Sequence, residues 1–375
     1  MHFIQLNQLK LRAEFYQGIA DAVAGEDVGN TRHLGRRIIL PSSHIGSARH
    51  MHQLCQDTLA IVRRMGTPDL FITMTMNPQW PEIIKSLLPG QHAVNDRPDL
   101  VAQVFYLKFL SMMADLLKEN VLGQIVGVIY TIEFQKRGLP HAHILVILAE
   151  NDKPRTESDI DKIVSAEIPD ELIADSELFA TVKRCMLHGP YGTKVTPNQW
   201  KSLKCCKSPA QPGVCTDNYP RLFQDKTTLN DDGFPQYCRR DDGRSVTVRG
   251  ADLDNCWVVP YNRFLTKKFE CHINVEVCNS VQAVNYLYKY LYKGHDRAAV
   301  QMGEDVDEIK SYLEGRYISA SEACWRLFKF RLHSEQPSVR RLMYHLPTWQ
   351  SVVFEENETV AQIIARGAHR TQFLA

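Results

Sequence analysis

The chain has 375 residues, of which 44% are hydrophobic and 23% are charged, as is usual for a soluble globular protein. Its formal net charge is +1, so any nucleic-acid binding must rely on local basic patches and not on a global positive field. The sequence contains no apolar run of about 18 residues and no basic-then-apolar N-terminus. We therefore expect an intracellular protein without a membrane span or a secretory signal.

The cysteine content and the absence of nucleotide-binding motifs limit the kinds of site that the chain can contain. Ten cysteines in an intracellular chain indicate free thiols or metal ligands more than disulfides. The glycine-rich patterns that bind nucleotide phosphates are absent, which argues against nucleotide-driven chemistry within this chain.

The first predicted elements alternate between helix and strand. Residues 1–35 form a lead segment without an assigned role, and residues 48–65 have helical spacing. The candidate buried residues of that helix are Met51, Leu54, Leu59 and Val62. Alternation from Leu70 to Asn77 predicts a half-buried strand, and residues 98–119 predict a long amphipathic helix.

Two further strands carry the most informative residues. Ile125 to Phe134 reads as a strand that places Glu133 on the face of Ile125, Ile129 and Thr131. Gly138 to Leu148 reads as the next strand, with His141 and His143 on one face. Its other face carries a candidate core of Ala142, Ile144, Val146 and Leu148. Two imidazoles on a stiff strand indicate a metal site, and two histidines on an exposed strand face are the alternative.

The short link between these strands adds a third ligand. Gln135 to Pro140 is short enough for an antiparallel hairpin, which would bring Glu133 across the ladder to His141 and His143. Two histidines and a carboxylate, with positions left open, suit Mg²⁺ or Mn²⁺ bound jointly with a phosphate oxygen. Zn²⁺ would also fit these ligands, so ligand type alone does not decide the ion.

A loop-rich, cysteine-containing insertion follows. Its candidate ligands are Cys185, His188, Cys205, Cys206, Cys215 and Cys238. A structural Zn²⁺ bound within residues 185–240 would explain how a stretch with so little core stays ordered. The spacing fits no standard zinc pattern, and free thiols in a covering loop are the alternative.

A tyrosine-rich helix provides candidate nucleophiles. A strand in which Cys271, Ile273, Val275 and Val277 share a face precedes a helix predicted over residues 281–293. At about 100° per residue, one side of that helix carries Tyr286, Lys289, Tyr290 and Lys293. Amphipathic surface packing of tyrosines is the structural alternative. Residues 301–375 read as a partly helical C-terminal extension, and its basic residues are candidates for a nucleic-acid groove: Arg326, Lys329, Arg331, Arg340 and Arg341.

Metal-ligating histidines and paired tyrosines together indicate phosphodiester transesterification. A tyrosine hydroxyl would attack a phosphate beside the metal, leaving a phosphotyrosine and a free 3′-hydroxyl. Free tyrosine has a pKa near 10, so a neighbouring lysine or the metal must favour the phenolate. Lys289 and Lys293 each follow a tyrosine by three residues and can act in this way or bind the phosphate.

These residues carry a family resemblance. His141-Ala-His143 and the Tyr-x-x-x-Tyr helix resemble HUH endonucleases of the rolling-circle initiator type, and the chain is most similar to the Rep-like (helitron helicase-like) domain of Helitron transposases. Supporting motifs are Pro68-Asp-Leu-Phe-Ile-Thr-Met-Thr-Met-Asn-Pro, Trp257-Val-Val-Pro-Tyr-Asn, Cys271-His-Ile-Asn-Val-Glu-Val-Cys and Tyr286-Leu-Tyr-Lys-Tyr-Leu-Tyr-Lys-Gly-His-Asp.

The resemblance implies an α+β fold with a central, palm-like antiparallel sheet flanked by helices. It also implies a divalent metal, a single-stranded DNA substrate, and nicking followed by strand transfer, with His141 and His143 as ligands and Tyr286 and Tyr290 as nucleophiles. Glu133 as third ligand follows from spacing. We divide the chain into a lead segment (1–35), a nuclease core (36–184 and 251–300), an insertion (185–250) and a C-terminal extension (301–375).

Two departures from the family pattern leave alternatives open. The insertion reads His188-Gly-Pro-Tyr-Gly where the family has His-Gly-Pro-Cys-Gly, which weakens the zinc hypothesis. The family's helicase is absent, so we expect the nuclease portion of a longer transposase, or a truncated or domesticated copy that needs a helicase in trans. A catalytically silent DNA-binding remnant and a zinc-organised interaction module are the competing hypotheses. The expected location is the nucleus in a eukaryote.

Overall fold

The computed structural model describes residues 11–15, 36–37, 48–135, 138–170, 176–189, 215, 217–230, 234–248, 250–278, 318–340, 351–355 and 358–366. The chain divides into two compact units. One comprises residues 1–57, 292–317 and 338–375, and the other comprises residues 58–291 and 318–337.

The described elements are nine helices and twelve strands. The helices are α1 (Ala48–Met65), α2 (Pro81–Ile84), α3 (Ala93–Asp96), α4 (Pro98–Leu117), α5 (Glu157–Ile163), α6 (Ser176–Cys185), α7 (Arg263–Phe269), α8 (Ala320–Leu327) and α9 (Val360–Arg366). The strands are β1 (Leu11–Phe15), β2 (Arg36–Arg37), β3 (Leu70–Thr75), β4 (Ile125–Phe134), β5 (Pro140–Leu148), β6 (Thr228–Leu229), β7 (Pro235–Gln236), β8 (Ser245–Val248), β9 (Ala251–Asp254), β10 (His272–Val277), β11 (His333–Gln336) and β12 (Ser351–Glu355).

The first unit contains a small antiparallel sheet. Its strand order is β12-β1-β2, and Ala13 of the central strand pairs with Val353 on one side and Arg36 on the other.

The second unit is built on a five-stranded antiparallel sheet of order β10-β3-β5-β4-β11. Helices and two short hairpins, β6-β7 and β8-β9, accompany this sheet. The predicted α+β fold with a central antiparallel sheet is therefore confirmed. The histidine strand β5 is the middle strand, so both of its neighbours can contribute side chains to any site built on it.

One face of the central sheet is an apolar core. Alternate residues of β3, β4, β5 and β10 point to this face, and those of β5 are Ala142, Ile144, Val146 and Leu148, as predicted. Helix α4 packs in the same core through Phe105, Phe109 and Met112, each at most 1% exposed. By length and composition alone, α4 would also suit a membrane span. Its buried face in the sheet core accounts for that apolar character.

An aromatic cluster attaches α8 to α4 and the sheet. Trp325 is fully buried, and its ring lies 5.2–6.1 Å from the rings of Phe105, Tyr106, Phe134 and Phe330. The Trp325 indole N–H donates a hydrogen bond to the carbonyl of Arg331 (3.2 Å), two residues before β11 begins. The cluster thus holds the chain segment that delivers the fifth strand.

Two predicted burial patterns differ in the structure. A bulge between Ile125 and Gly127 shifts the register of β4, so Ile125 pairs with core-facing Leu148 and does not share the face of Glu133. In α1, Leu59 is 43% exposed whereas Ile61 is 2% exposed. The buried stripe of that helix follows Met51, Thr58 and Ile61, and Leu59 lies off it.

The cysteine-containing insertion covers the outer edge of β10. Two β10 amides donate hydrogen bonds to it: Ile273 to Met186 Sδ (3.4 Å) and Val277 to Tyr237 Oη (2.9 Å). The amide between them, that of Val275, donates to the carbonyl of Pro260 (3.0 Å), in the segment that follows the insertion. An uncovered sheet edge would invite pairing with another chain. The insertion therefore completes the sheet and is more than a surface loop.

The predicted C-terminal extension, residues 301–375, does not form one unit in the structure. Residues 318–337 belong with the central sheet, because β11 pairs with β4 from Gln336↔Val128 to His333↔Thr131. Arg326, a candidate for the nucleic-acid groove, donates instead to buried Glu322 (2.9 Å). Residues 301–317 of the predicted C-terminal extension lie outside the described residues.

Candidate metal centre

The middle strand of the sheet places the two histidines side by side. His141 and His143 point to the face opposite the apolar core, because Ala142 and Ile144 between and beside them are fully buried in that core. The His143 side chain is only 10% exposed, and its ring stacks parallel to that of Phe71 at 5.8 Å. The pair therefore lies in a partly enclosed polar layer, not on an open surface.

Strand β3 fixes the orientation of both rings. Thr75 lies opposite His141 in the antiparallel register, and its Oγ1 is hydrogen-bonded to His141 Nδ1 at 3.0 Å. Thr73 lies opposite His143 and is hydrogen-bonded to His143 Nδ1 at 3.1 Å. When Nδ1 donates to the threonine, Nε2 carries the lone pair that a metal ion requires. Alternation in β3 places both hydroxyls on the histidine face.

Strand β4 brings the carboxylate. Glu133 lies opposite His141, and its Oε2 is 3.3 Å from Nε2 of His143. Glu133 therefore contacts His143, one of the two histidines toward which the hairpin was expected to bring it. Two ligands bonded at about 2.1 Å and at right angles around one ion lie about 3 Å apart, so this contact fits neighbouring ligands of one divalent ion. The donor set of imidazole nitrogens and a carboxylate oxygen also fits.

A third histidine on the same face was missed in the sequence. His333 of β11 lies opposite Thr131, whose Oγ1 is hydrogen-bonded to His333 Nδ1 at 3.1 Å. Its Nε2 is 3.8 Å from Oε2 of Glu335, and both atoms are buried. His143 also pairs with Thr131, so His143 and His333 flank one threonine across three strands. The only sequence signal was the alternation of His333 and Glu335 in a four-residue strand that contains no apolar residue.

The predicted nucleophiles and their lysines cannot be placed relative to the histidines. Tyr286, Lys289, Tyr290 and Lys293 lie outside the described residues. The described residues stop after β10 at Cys278, whose amide donates to the Asp69 carbonyl at 2.8 Å, and resume at residue 318.

A second group of possible ligands lies in the insertion. Nε2 of His188 is 3.3 Å from Sγ of Cys215 and 3.7 Å from Oδ2 of Asp217, and its ring stacks on that of Tyr219 at 4.2 Å. Burial lowers the pKa of His188 to about 4. Within the described part of the chain, this is the one group of at least three His, Cys, Asp or Glu residues whose ligand atoms all lie within 4.8 Å of one another.

The other cysteines of the insertion that the structure describes are free thiols. Cys185 and Cys238 are free, and the Cys238 thiol lies 3.6 Å from Glu167 Oε1. Burial, followed by the nearby Glu167 charge, raises the pKa of Cys238 to about 11. Cys205 and Cys206 lie outside the described residues.

Comparison with known proteins identifies the first part of the chain. Residues 1–146 match the family model described as the Helitron helicase-like domain at N-terminus. No curated protein matches the chain. The matched region includes Glu133, His141 and His143, and it ends before the tyrosine segment. Residues 1–146 are therefore similar to the Helitron helicase-like N-terminal domain.

Proposed function

We propose that the protein is a metal-dependent, single-stranded DNA endonuclease and strand transferase that works through a 5′-phosphotyrosine intermediate. The observation that carries this proposal is the arrangement of His141, His143 and Glu133, in which threonines hold both rings and the carboxylate lies 3.3 Å from His143 Nε2. The match to a Helitron-related domain over the same residues supports it.

The described residues have defined roles in this proposal. Thr73 and Thr75 hold the imidazoles so that Nε2 of His141 and Nε2 of His143, together with Glu133, would bind Mg²⁺ or Mn²⁺. The bound ion would polarise the scissile phosphate and stabilise the charge that develops on it. Phe71, stacked on His143, restricts that ring to one orientation.

The tyrosines would perform the covalent step. The hydroxyl oxygen of Tyr286 or Tyr290 would form a bond to phosphorus, the bond from phosphorus to the 3′ oxygen would break, and the phenolic proton would pass to solvent. Lys289 or Lys293 would favour the phenolate by its charge. A later attack by a 3′-hydroxyl would reverse this exchange, so strand transfer needs no ATP. Unwinding of duplex DNA would fall to a helicase in trans.

The chain is long enough for this convergence. Tyr286 follows Cys278 by eight residues. β10 ends opposite Leu70, and the histidine rows lie opposite Thr73 and Thr75, about 10–17 Å further along β3. Eight residues reach that distance in an extended chain and roughly 12 Å as a helix. The length of this connection therefore permits the convergence that the proposal requires.

The test is covalent capture of DNA. We expect the full chain, incubated with end-labelled single-stranded oligonucleotides and Mn²⁺, to form a denaturation-resistant protein–DNA adduct. The double variant Tyr286→Phe/Tyr290→Phe should lose the adduct and still bind single-stranded DNA. Tyr106→Phe is the matched control, because that ring stacks on Phe330 at 3.8 Å, in the core away from the histidines.

Two outcomes would contradict the proposal. A folded wild-type chain that binds single strands but forms no adduct over varied sequences would instead support a silent DNA-binding remnant. An adduct that persists in the double tyrosine variant would assign the nucleophile to another residue.

A further inference from the structure

The insertion brings together three side chains that have no role in the proposed reaction. Cys215 is 4% exposed, whereas the Asp217 side chain is 57% exposed, so a ligand bound here would be buried on its sulfur side and open to water on its oxygen side. His188 joins them from a different stretch of chain, and its amide donates to the carbonyl of Trp257 at 2.8 Å.

The geometry favours a shared ion over a hydrogen-bonded relay. Sγ of Cys215 and Oδ2 of Asp217 both approach the same nitrogen, Nε2 of His188. In a nucleophilic Cys-His-Asp relay, the carboxylate instead binds Nδ1 while the thiol binds the other nitrogen. Three different ligand atoms that converge on one point are what a metal ion requires.

The distances match those of tetrahedral zinc. Bonds of about 2.3 Å to sulfur and about 2.1 Å to nitrogen or oxygen place an S,N pair about 3.6 Å apart and an N,O pair about 3.4 Å apart. The observed separations are 3.3 Å for Sγ to Nε2 and 3.7 Å for Nε2 to Oδ2. A thiolate, an imidazole and a carboxylate are also the ligand types that zinc uses, whereas Mg²⁺ and Ca²⁺ avoid sulfur.

The place of the cluster in the fold gives the ion a structural purpose. His188 directly follows Met186 and Leu187, and Met186 accepts the hydrogen bond from the amide of Ile273 on the outer edge of β10. Leu187 forms an isolated antiparallel β-bridge with Val258, which follows the insertion. An ion that joins His188 to Cys215 and Asp217 would hold the covering segment against the sheet without a large core.

We propose that His188, Cys215 and Asp217 bind a structural Zn²⁺ ion that fastens the insertion to the edge of the central sheet, and that they supply three of the four ligands of a tetrahedral site. On binding, the Cys215 thiol loses its proton to solvent and coordinates as the thiolate. This site is separate from the pair His141 and His143 and does not depend on catalytic activity.

The test uses Co²⁺ as a spectroscopic probe on the full chain, stripped of metal. We expect a near-ultraviolet thiolate-to-cobalt band that saturates at about one equivalent and disappears when Zn²⁺ is added. Cys215→Ser should abolish the band. Cys238→Ser, a thiol of the same insertion outside the cluster, should keep it. His141→Ala/His143→Ala should also keep it, which separates this proposal from the proposed function, because that site has no sulfur ligand.

A substitution at an exposed position tests the proposal in a variant that should fold normally. Asp217→Asn changes an exposed side chain and should leave the circular dichroism spectrum unchanged while Zn²⁺ affinity falls at least about tenfold, since even groups that only support ligands are worth about 10–100-fold. Absence of the thiolate band in the wild type, a band of full strength in folded Cys215→Ser, or unchanged affinity in Asp217→Asn would each overturn the proposal.

Discussion

At the scale of single residues, the central sheet repeats one device three times. A threonine hydroxyl on a neighbouring strand is hydrogen-bonded to Nδ1 of a histidine, in the pairs Thr75–His141, Thr73–His143 and Thr131–His333. Each pair is directly opposite in the antiparallel register, so strand pairing itself sets the ring orientation. The second atom of each ring, Nε2, is thereby directed into the polar layer.

This device predicts the effect of removing one hydroxyl. Thr73→Val keeps the shape of the side chain but leaves His143 Nδ1 without its threonine partner. We expect Mn²⁺ affinity to fall about 10–100-fold, measured by isothermal titration calorimetry, with a loss in stability of about 1–3 kcal/mol. The matched control is Thr247→Val, in which the lost partner is exposed Asp252. Equal Mn²⁺ affinities of Thr73→Val and wild type would show that the threonine does not position the ligand.

The partly buried His272, at the start of β10, predicts a pH dependence of stability. Burial lowers the pKa of His272, whose Nδ1 is hydrogen-bonded to the Cys185 carbonyl at 2.8 Å. The unfolded chain protonates such a ring near pH 6.5, before the folded chain does, so the free energy of unfolding should fall as the pH drops below about 6.5.

Urea titrations of metal-free protein between about pH 7 and pH 5 measure this effect. His272→Gln should flatten the dependence, and the remaining slope should come from His188, whose pKa burial also lowers. A variant with the wild-type slope would exclude His272 as its source.

At the scale of elements, the strands with alternating apolar residues could be predicted from the sequence. Strand β11, which pairs with β4, could not. Leu70, Ile72 and Met74 bury one face of β3, and this period of two gave its position from sequence alone. β11 contains only His333, Ser334, Glu335 and Gln336, so it has no apolar alternation. Its pairing with β4 depends on contacts about 200 residues apart along the chain. For the same reason, the sequence indicated Glu133 but not His333.

The attachment of α8 predicts a large loss of stability on truncation. Trp325→Ala empties the centre of the aromatic cluster, and we expect a loss of about 3–5 kcal/mol, measured by urea unfolding. Hydrogen exchange should also accelerate at the β11 amides. Leu327→Ala in the same helix is the control, because Leu327 is 78% exposed and should change stability by less than about 0.5 kcal/mol. Similar effects of both variants would mean that the cluster does not hold β11.

At the scale of the whole molecule, the recognised domain and the folded unit do not coincide. The family match ends at residue 146, before the last two residues of β5. β10 and β11, which flank the sheet on both sides, come from residues 272–277 and 333–336. The predicted nuclease core included β10, within residues 251–300, but β11 was assigned to the C-terminal extension because it has no apolar alternation.

This arrangement predicts that the matched region does not fold alone. A fragment of residues 1–150 would expose the outer edge of β3 and lose the buried Ile273, Val275 and Trp325. We expect it to show no cooperative urea transition by circular dichroism. Adding residues 151–375 as a second polypeptide should restore a transition. A cooperative transition of the fragment alone, at the midpoint of the full chain, would contradict this account of the sheet.

The central claim is that His141, His143 and Glu133 form one divalent-metal site. The most direct measurement is Mn²⁺ binding to the full chain, followed by electron paramagnetic resonance of the free ion. We predict one saturable site that is lost in His141→Ala/His143→Ala and weakened in Glu133→Gln. It should be retained in His92→Ala, a change of an exposed histidine outside the sheet. Mn²⁺ binding of equal affinity in the folded double histidine variant would contradict the claim.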